Sequence, residues 1–288
     1  MELSTPECIW EIGATLGEGA MWCARDQSVW SVDIMANQLY RFDPASGAKH
    51  SWNTPPNPGF IVPKRRGGFI VGLRGGLYDF DPATGLFTLR LDVERGVPGN
   101  RINDGFVDPA GRLWFGTMDY DGNEATGALY TYDPLGLNVA DPGYRITNGP
   151  ALSPDGRTLY HNDTMGQCIY AFDVPTGGVL ANKRVFATIA RGYPDGIAVD
   201  SAGQLWCALY GGGGINVYAP DGRLIRHVAL PCSNVTKLAF GGADLKTIYA
   251  TTARQGLSEA ELAAQPLAGG LFAFTTDIAG LPPGEFDD

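Results

Sequence analysis

A two-strand pattern that recurs six times is the strongest constraint on the fold of this chain. Each repeat has a polar turn, a short strand rich in β-branched and aromatic residues, and a second strand that often ends in Asp-Pro. The first strands are marked by Trp30, Phe69, Leu113, Leu159, Leu205 and Ile248, which are 39 to 46 residues apart. The second strands lie at 39–43, 77–81, 129–133, 169–173, 215–219 and 271–275. A period of roughly 40–45 residues with several strands in each unit is typical of the blades of a β-propeller.

Six such units predict an all-β chain folded as a six-bladed β-propeller, with residues 1–288 in one domain. A β-sandwich would explain the strands but not their even spacing. An early strand at residues 8–12 lies before the first unit, and we expect it to pair with the strand at 271–275 and close the ring. The only convincing helix is at 258–265, where Ser258 has Glu261 three residues after it, as in a capping box.

The composition excludes several classes of function. The chain carries 21 Lys and Arg against 31 Asp and Glu, which argues against nucleic-acid binding because phosphates need a basic face. Its five cysteines form no C-x-x-C motif, so neither a disulfide framework nor a thiolate zinc site is expected. No apolar run is long enough to span a membrane, and residues 1–5 do not begin a signal peptide. We therefore expect a cytoplasmic protein, monomeric or weakly oligomeric, that binds neither membrane nor nucleic acid.

Polar side chains recur at the turns that lead into the first strands of the repeats. Glu18 lies between two glycines, Asn148 precedes Gly-Pro, and Asp195 lies between Pro and Gly. Arg101 and Asn103 alternate on one face of a period-2 segment. In a propeller such turns face the central channel. One of them alone would be interpreted as a turn that binds its own backbone, but four at the same place in the repeat favour a shared site, with Glu18, Asn148 and Asp195 around one metal ion.

Other kinds of site find little support in the sequence. There are three histidines and no Gly-x-Ser-x-Gly elbow, which argues against a Ser-His-Asp hydrolase. The glycines at 211–214 lie between two predicted strands, so they form a turn and not a phosphate-binding loop. Asp119, Asp121 and Asn123 are spaced like the start of an EF-hand, but Glu124 and Tyr130 stand where that loop needs Gly and Glu.

Motifs along nearly the whole chain resemble those of one family. They are Leu16-Gly17-Glu18-Gly19, Arg101-x-Asn103-Asp104-Gly105, Gly116-Thr117-Met118, Asn148-Gly149, Pro194-Asp195-Gly196 and Gly241-Gly242-Ala243-Asp244-Leu245. Together they are similar to the gluconolactonase, senescence-marker protein (regucalcin) and luciferin-regenerating family. The segments Thr147-Asn148-Gly149-Pro150 and Thr251-Thr252-Ala253-Arg254 resemble most the bacterial sugar lactonases of the pentonolactonase type.

The resemblance implies a role for each candidate residue. It implies that Glu18, Asn148 and Asp195 bind one divalent metal ion, which is calcium, zinc, manganese or iron(II) in different family members. It implies that Arg101 and Asn103 hold the hydroxyls of a sugar lactone. A further substrate-binding carboxylate of the family aligns with Asp121 or Glu124. An all-oxygen ligand set suits a hard cation, and Asp195 is the candidate catalytic base because its second oxygen can face the open side of the metal.

These expectations together predict a metal-dependent lactonase. Its substrate would be an aldonolactone such as xylonolactone, arabinonolactone or gluconolactone, which it would open to the aldonic acid. One alternative is a hydrolase of aryl esters or phosphotriesters on the same fold, although the polar groups at the channel favour a polyol. Two others are a non-catalytic divalent-cation-binding protein and a propeller for protein interaction, and the second leaves the grouping of Glu18, Asn148 and Asp195 unexplained.

Overall fold

The computed structural model describes residues 1–175 and 179–288, in which the strands form six antiparallel sheets of four. Blade 1 contains β2 (Gly17–Cys23), β3 (Ser28–Asp33), β4 (Gln38–Phe42) and β5 (Lys49–Asn53). Blade 2 contains β6 (Phe60–Pro63), β7 (Phe69–Leu73), β8 (Gly76–Asp81) and β9 (Leu86–Asp92), and blade 3 contains β10 (Asn100–Val107), β11 (Leu113–Asp119), β12 (Gly127–Asp133) and β13 (Gly136–Tyr144). Blade 4 contains β14 (Thr147–Leu152), β15 (Thr158–Asp163), β16 (Cys168–Asp173) and β17 (Ala181–Thr188). Blade 5 contains β18 (Tyr193–Val199), β19 (Leu205–Tyr210), β20 (Gly214–Tyr218) and β21 (Leu224–Ala229).

Blade 6 combines strands from the two ends of the chain. It contains β22 (Val235–Gly241), β23 (Thr247–Thr252), β24 (Leu271–Thr275) and β1 (Glu7–Trp10). Strands β1 and β24 are antiparallel, with Glu7 opposite Ala273. This pairing gives the last blade its outermost strand, covers the outer edge of β24 and joins the first residues of the ring to the last.

The first strand of each blade lines the centre of the ring. These strands, β2, β6, β10, β14, β18 and β22, contact one another in a closed cycle. They are far more buried than the outermost strands: all six residues of β14 are buried, whereas most of β17, at the outer edge of the same blade, is exposed. The six-bladed β-propeller predicted from the repeats is therefore confirmed.

The packing between blades explains why the repeat carries aromatic residues. A buried Trp occupies the second strand of blades 1, 3 and 5, and its indole N–H donates to an Asp in the preceding turn. The three pairs are Trp30 with Asp26 (3.3 Å), Trp114 with Asp108 (2.9 Å) and Trp206 with Asp200 (2.9 Å). Each pair removes a large apolar surface from water and satisfies the one polar atom of the indole.

One short helix lies outside the sheets. Helix α1 (Glu259–Ala264) follows β23, and the side chains of Ser258 and Glu261 form both hydrogen bonds of a capping box. The predicted helix and its N-cap are confirmed. Among the described residues, no helix has the length and apolar character needed to cross a membrane.

Candidate functional site

The predicted site residues lie near the starts of four innermost strands, at one end of the central channel. Glu18 is in β2, Arg101 and Asn103 are in β10, Asn148 is in β14 and Asp195 is in β18. All five side chains are buried. The fold therefore brings together residues from blades 1, 3, 4 and 5 that are far apart in the sequence.

An irregularity in strand pairing recurs just after these residues. The register shifts between Glu18 and Met21 in β2, between Asn148 and Ala151 in β14, and between Pro194 and Ile197 in β18. It also shifts between Ile102 and Gly105 in β10. A bulge bends its strand and redirects the side chains beside it. The glycines after the polar residues permit this: Gly19 and Gly149 have φ of 60° and 69°, which other residues rarely adopt.

Two carboxylates form the centre of the site. The side chains of Glu18 and Asp195 are both buried, near enough for the charge of Glu18 to act on Asp195. Burial, helped by the nearby charge of Asp104, raises the pKa of Glu18 to about 7. Burial and then the charge of Glu18 raise the pKa of Asp195 well above its ordinary value. Oδ1 of Asp195 has no hydrogen-bond partner within the described part of the chain. Two buried like charges with an unpartnered oxygen are unstable unless a proton or a cation neutralises them.

This arrangement fits a divalent cation. Glu18 and Asp195 supply two carboxylates, and Asn148 supplies an amide oxygen from the adjacent blade, all hard oxygen ligands. Across residues 1–175 and 179–288 there is no group of three or more His, Cys, Asp or Glu side chains that could hold a metal. A cation at this end of the channel would thus need the amide of Asn148 as well as the two carboxylates.

The predicted substrate-binding residues are joined to the predicted metal ligands. Nη1 of Arg101 donates to Oδ1 of Asn103 at 2.6 Å, and Nδ2 of Asn103 donates to Oδ1 of Asn148 at 2.9 Å. Burial lowers the pKa of Arg101 to about 10, and the negative charge of Glu18 opposes this effect. The guanidinium therefore remains charged at neutral pH.

The loop carboxylates Asp121 and Glu124 are placed differently. Both side chains are exposed in the loop between β11 and β12. The loop is held by Asp119, whose carboxylate accepts from the backbone N–H groups of Asn123 and Glu124 at 2.8 and 3.2 Å. The structure does not bring Asp121 or Glu124 into the buried group, so a contact of either with substrate stays a prediction.

An ion pair beneath the site was not predicted from the sequence. Nζ of Lys237 in β22 lies 2.5 Å from Oδ2 of Asp104, and the two side chains are buried. Asp104 also accepts from the backbone N–H groups of Gly105 at 2.7 Å and of Gly149 at 3.1 Å. Lys237 passes so close to Gly196 that a Cβ there would lie 2.1 Å from its Cδ. The pair thus touches the turns that carry Asn148 and Asp195.

The same pair lines a cavity of about 600 Å³ that none of the five predicted buried site residues lines. Its walls include Phe106, Phe240 and Leu281, so the cavity is the more apolar part of the channel. A signal for Lys237 does exist in the sequence. It lies near the start of the first strand of the sixth repeat, the position that carries the polar residues in repeats 1, 3, 4 and 5.

Comparison with known proteins identifies the family of this chain. Residues 16–254 match the model of the SMP-30/Gluconolactonase/LRE-like region. The chain is 35% identical to the 6-deoxy-6-sulfogluconolactonase of Pseudomonas putida over 280 residues, 96% of each protein. It is 37% identical to the L-arabinolactonase of Azospirillum brasilense over 280 residues, 94% of this chain and 92% of that protein.

A solved structure extends the likeness to the fold. The crystal structure of a calcium-binding protein, regucalcin, from Agrobacterium tumefaciens superposes with a TM-score of 0.95 at 28% identity, covering 99% of this chain and 98% of that one. The two relatives from Pseudomonas putida and Azospirillum brasilense are named as lactonases, hydrolases of cyclic esters, which confirms the prediction of an enzyme of this kind. With matches of this length and identity, the chain belongs to the SMP-30/gluconolactonase/LRE-like family.

Proposed function

We propose that this protein is a metal-dependent sugar lactonase that hydrolyses an aldonolactone to the aldonic acid. The observation that carries the proposal is the burial of two carboxylates, Glu18 and Asp195, with Oδ1 of Asp195 unpartnered among the described residues, in the same site as the buried guanidinium of Arg101. Buried carboxylates can bind a cation and can accept a proton. The hydrogen-bonding groups of Arg101 and Asn103 suit an ester that carries several hydroxyls. The named lactonases among the relatives support the same reaction.

Glu18, Asn148 and Asp195 would hold one divalent cation, with calcium, zinc, manganese and iron(II) as candidates. The likeness to a calcium-binding regucalcin supports a cation at this site. When bound, the cation would polarise the lactone carbonyl and lower the pKa of nearby water. Three protein ligands leave positions for water and substrate.

The residues of the chain would supply binding, orientation and proton transfer. Arg101 would donate hydrogen bonds to the ring hydroxyls. Asn103, whose two N–H protons go to Thr147 and Asn148, would accept one with Oδ1. Together they would hold the ester in one orientation, which removes much of the entropic cost of reaction. The unpartnered Oδ1 of Asp195 would accept a proton as the oxygen of water bonds to the lactone carbonyl carbon. The same proton then passes to the ring oxygen as the ring C–O bond breaks, which leaves the open acid. Asp121 or Glu124 would contact the far side of the sugar.

The proposal is tested by acid release from several lactones. The protein is stripped of metal with a chelator, and each candidate cation is returned in turn with gluconolactone, xylonolactone, arabinonolactone or galactonolactone. We expect negligible release above the spontaneous rate without metal, and saturable release from at least one lactone with metal. Release that is independent of added metal would contradict the metal dependence.

A small lactone is the only partner we propose, and a cytoplasmic, monomeric or weakly oligomeric state stays a prediction from the sequence.

A second candidate is a divalent-cation-binding protein without catalysis, favoured by the likeness to regucalcin. Such a protein would bind the cation in a calorimetric titration and release no acid from any of the four lactones. A hydrolase of other esters would instead cleave an aryl ester or a phosphotriester faster than every lactone. The same metal-reconstituted sample serves for all three measurements.

Arg101 separates substrate binding from metal binding. Arg101→Ala removes a charged donor that lies outside the proposed metal ligands. Asn103 keeps its hydrogen bond to the carbonyl of Thr147 at 2.7 Å, which holds its nitrogen toward Asn148, so we expect unchanged metal content. We expect kcat/KM to fall by roughly 10- to 150-fold, because a hydrogen bond from a charged group contributes about 1.5–3 kcal/mol. Metal content is measured after dialysis and kcat/KM by acid release. Parental kinetics in this variant would assign Arg101 a structural role.

A further inference from the structure

Four hydrogen bonds connect Arg101 to the peptide that precedes Asp195. Two of them, from Arg101 to Asn103 and from Asn103 to Asn148, are described above. The third runs from Nδ2 of Asn148 to Oγ1 of Thr164 at 2.9 Å. The fourth runs from Oγ1 of Thr164 to the carbonyl oxygen of Pro194 at 2.9 Å. Thr164 thus links the amide of one proposed metal ligand to the turn that carries another.

The direction of this chain of bonds is set by the groups at its two ends. The guanidinium of Arg101 can only donate, so Asn103 must turn its oxygen toward it. The nitrogen of Asn103 then faces Asn148, which must accept with its oxygen and turn its own nitrogen away. At the other end, the carbonyl of Pro194 can only accept, so the hydroxyl of Thr164 gives its proton there and has a lone pair left for Asn148. Every amide in the chain therefore has one favourable orientation, and a flip of one would set two donors or two acceptors against each other.

This orientation matters for a cation. The oxygen of Asn148 accepts one hydrogen bond from Asn103, which leaves its second lone pair for a metal ion. A flipped amide would set its NH₂ group against Nδ2 of Asn103, and it would present that NH₂ group where the oxygen now stands, which repels a cation. The acceptor that keeps the nitrogen of Asn148 on the far side is the hydroxyl of Thr164.

Thr164 is built into the fold at this position. It is 7% exposed and begins the turn between β15 and β16. Its backbone N–H donates to the carbonyl of Ile146 at 3.2 Å, two residues before Asn148, and its carbonyl accepts from Gln167 at 3.1 Å. These bonds fix where the hydroxyl can reach.

A second side chain of blade 4 braces the same turn. Nδ2 of Asn162, which is fully buried in β15, donates to the backbone carbonyl of Asp195. Two consecutive backbone carbonyls therefore accept hydrogen bonds from blade 4: that of Pro194 from Thr164, and that of Asp195 from Asn162. Blade 4 holds the backbone of the Asp195 turn in blade 5 as well as carrying Asn148.

We propose that Thr164 is a positioning residue of the metal site, which orients the amide of Asn148 and anchors the turn of Asp195 without contacting metal or substrate. This inference rests on the proposed function, because it takes Asn148 and Asp195 as ligands of the cation. Outer partners of metal ligands fix ligand orientation, and their loss typically weakens metal affinity or activity by 10- to 100-fold.

The test compares Thr164→Val with Thr164→Ser in the full-length protein. Valine keeps the shape and removes the hydroxyl, whereas serine keeps the hydroxyl and removes a methyl group. Mn²⁺ is titrated into each chelator-stripped protein, and free Mn²⁺ is followed by electron paramagnetic resonance. We expect Thr164→Val to bind Mn²⁺ about 10-fold or more weakly than the parent, and Thr164→Ser to bind within about 3-fold of it. Thr164→Ala, which also lacks the hydroxyl, takes the place of the valine variant if that variant does not fold.

Ser28→Ala is the matched control. Ser28 is fully buried. Like that of Thr164, its hydroxyl makes two hydrogen bonds: it donates to a carboxylate oxygen of Asp26 at 2.6 Å and accepts from Nε of Arg41 at 3.1 Å. It lies at the start of β3, whereas Glu18 lies opposite the end of that strand, beside Val32. The melting temperature of each metal-free variant is recorded. Ser28→Ala loses a buried hydroxyl, so its melting temperature should fall while its Mn²⁺ affinity stays at the parental value.

The outcomes separate this inference from the proposed function. Weaker binding in Thr164→Val, rescue in Thr164→Ser and no change in Ser28→Ala support it. Parental Mn²⁺ affinity in the valine variant overturns it, and the metal site still stands if Glu18→Gln loses Mn²⁺. Equally weak Mn²⁺ binding in Thr164→Ser, Thr164→Val and Ser28→Ala also overturns it, because the loss of affinity would then reflect a general loss of protein stability. If neither Glu18→Gln nor Thr164→Val changes Mn²⁺ binding, both the inference and the metal site fail.

A kinetic measurement gives an independent readout. At saturating Mn²⁺, a positioning role predicts that Thr164→Val keeps a reduced kcat on the preferred lactone, because the turn of Asp195 has lost an anchor that added metal cannot replace. KM should change by less than about 3-fold, because Arg101 and Asn103 still bind the sugar. Full recovery of kcat at saturating Mn²⁺ would overturn the part of the proposal that concerns Asp195.

Discussion

Asp195→Asn is expected to lower kcat by about 10²- to 10⁴-fold at saturating metal, the usual contribution of a general base. Asparagine keeps the shape of the side chain and one ligand oxygen, but it carries neither the negative charge nor the basicity. The loss of activity should therefore exceed the loss of metal affinity. Excess metal can restore occupancy of the site, but it cannot restore a proton acceptor. The measurements are kcat by acid release over a range of metal concentrations, and metal affinity by titration.

Asp200→Asn is the matched control for this variant. Asp200 directly follows β18, the strand that contains Asp195, and is fully buried. Its carboxylate accepts hydrogen bonds from the indole N–H of Trp206 at 2.9 Å and from the backbone N–H groups of Ala202 at 3.0 Å and Gln204 at 2.9 Å. Its substitution should lower the melting temperature and leave kcat of the folded protein unchanged. If excess metal instead returns Asp195→Asn to nearly parental turnover, Asp195 is only a ligand. Asp104, Asp121 or Glu124 would then be the next candidate for the base.

Glu18→Gln is expected to weaken metal binding by a factor on the order of 100 or more. Removing one member of a buried charge pair costs roughly 3 kcal/mol or more, and Glu18 has no role in the proposed proton transfer that could hide the effect. Its backbone contact to Gly19, at 2.9 Å from Oε2, can be kept by the oxygen of glutamine. The loss should therefore come from the missing charge and not from an altered turn. Metal retained after dialysis at limiting metal concentration is the measurement.

Asp121→Asn and Glu124→Gln are the controls for Glu18→Gln. They remove the same charge from exposed positions of the loop after β11, where water screens a charge from the buried site. We expect metal retention in both within about 2-fold of the parent, because the effect of an exposed charge on a distant ion is small. Equal metal content in Glu18→Gln and the parent would remove Glu18 from the ligand set.

The sequence by itself determined the architecture and the positions of the main candidate residues. The reason is that both depend on local patterns. The spacing of Trp30, Phe69 and their counterparts follows from strands that each need one buried aromatic or aliphatic face. The capping box at Ser258 and Glu261 is complete within four residues. Glu18, Asn148 and Asp195 could be chosen because each lies beside a glycine or proline just before a strand, and because the repeat places equivalent turns at the same end of the ring.

What only the tertiary structure decided is how side chains from different blades meet. Lys237 and Asp104 are 133 residues apart, and no local pattern pairs a lysine of the last blade with an aspartate of the third. Thr164 is 30 residues from Pro194 and lies in an ordinary polar turn. Its hydrogen bonds reach Asn148 in β14 and Pro194 in β18, two strands whose register each shifts by one residue. Asp121 and Glu124 resembled site residues in sequence, yet the bonds of Asp119 to the backbone of their loop keep both side chains exposed. Strand period and turn chemistry can be predicted from the residues of a single repeat. The site forms only when the ring closes, because closure brings the ends of several repeats into one buried space. There the charges and hydrogen bonds of residues from different blades must be satisfied together.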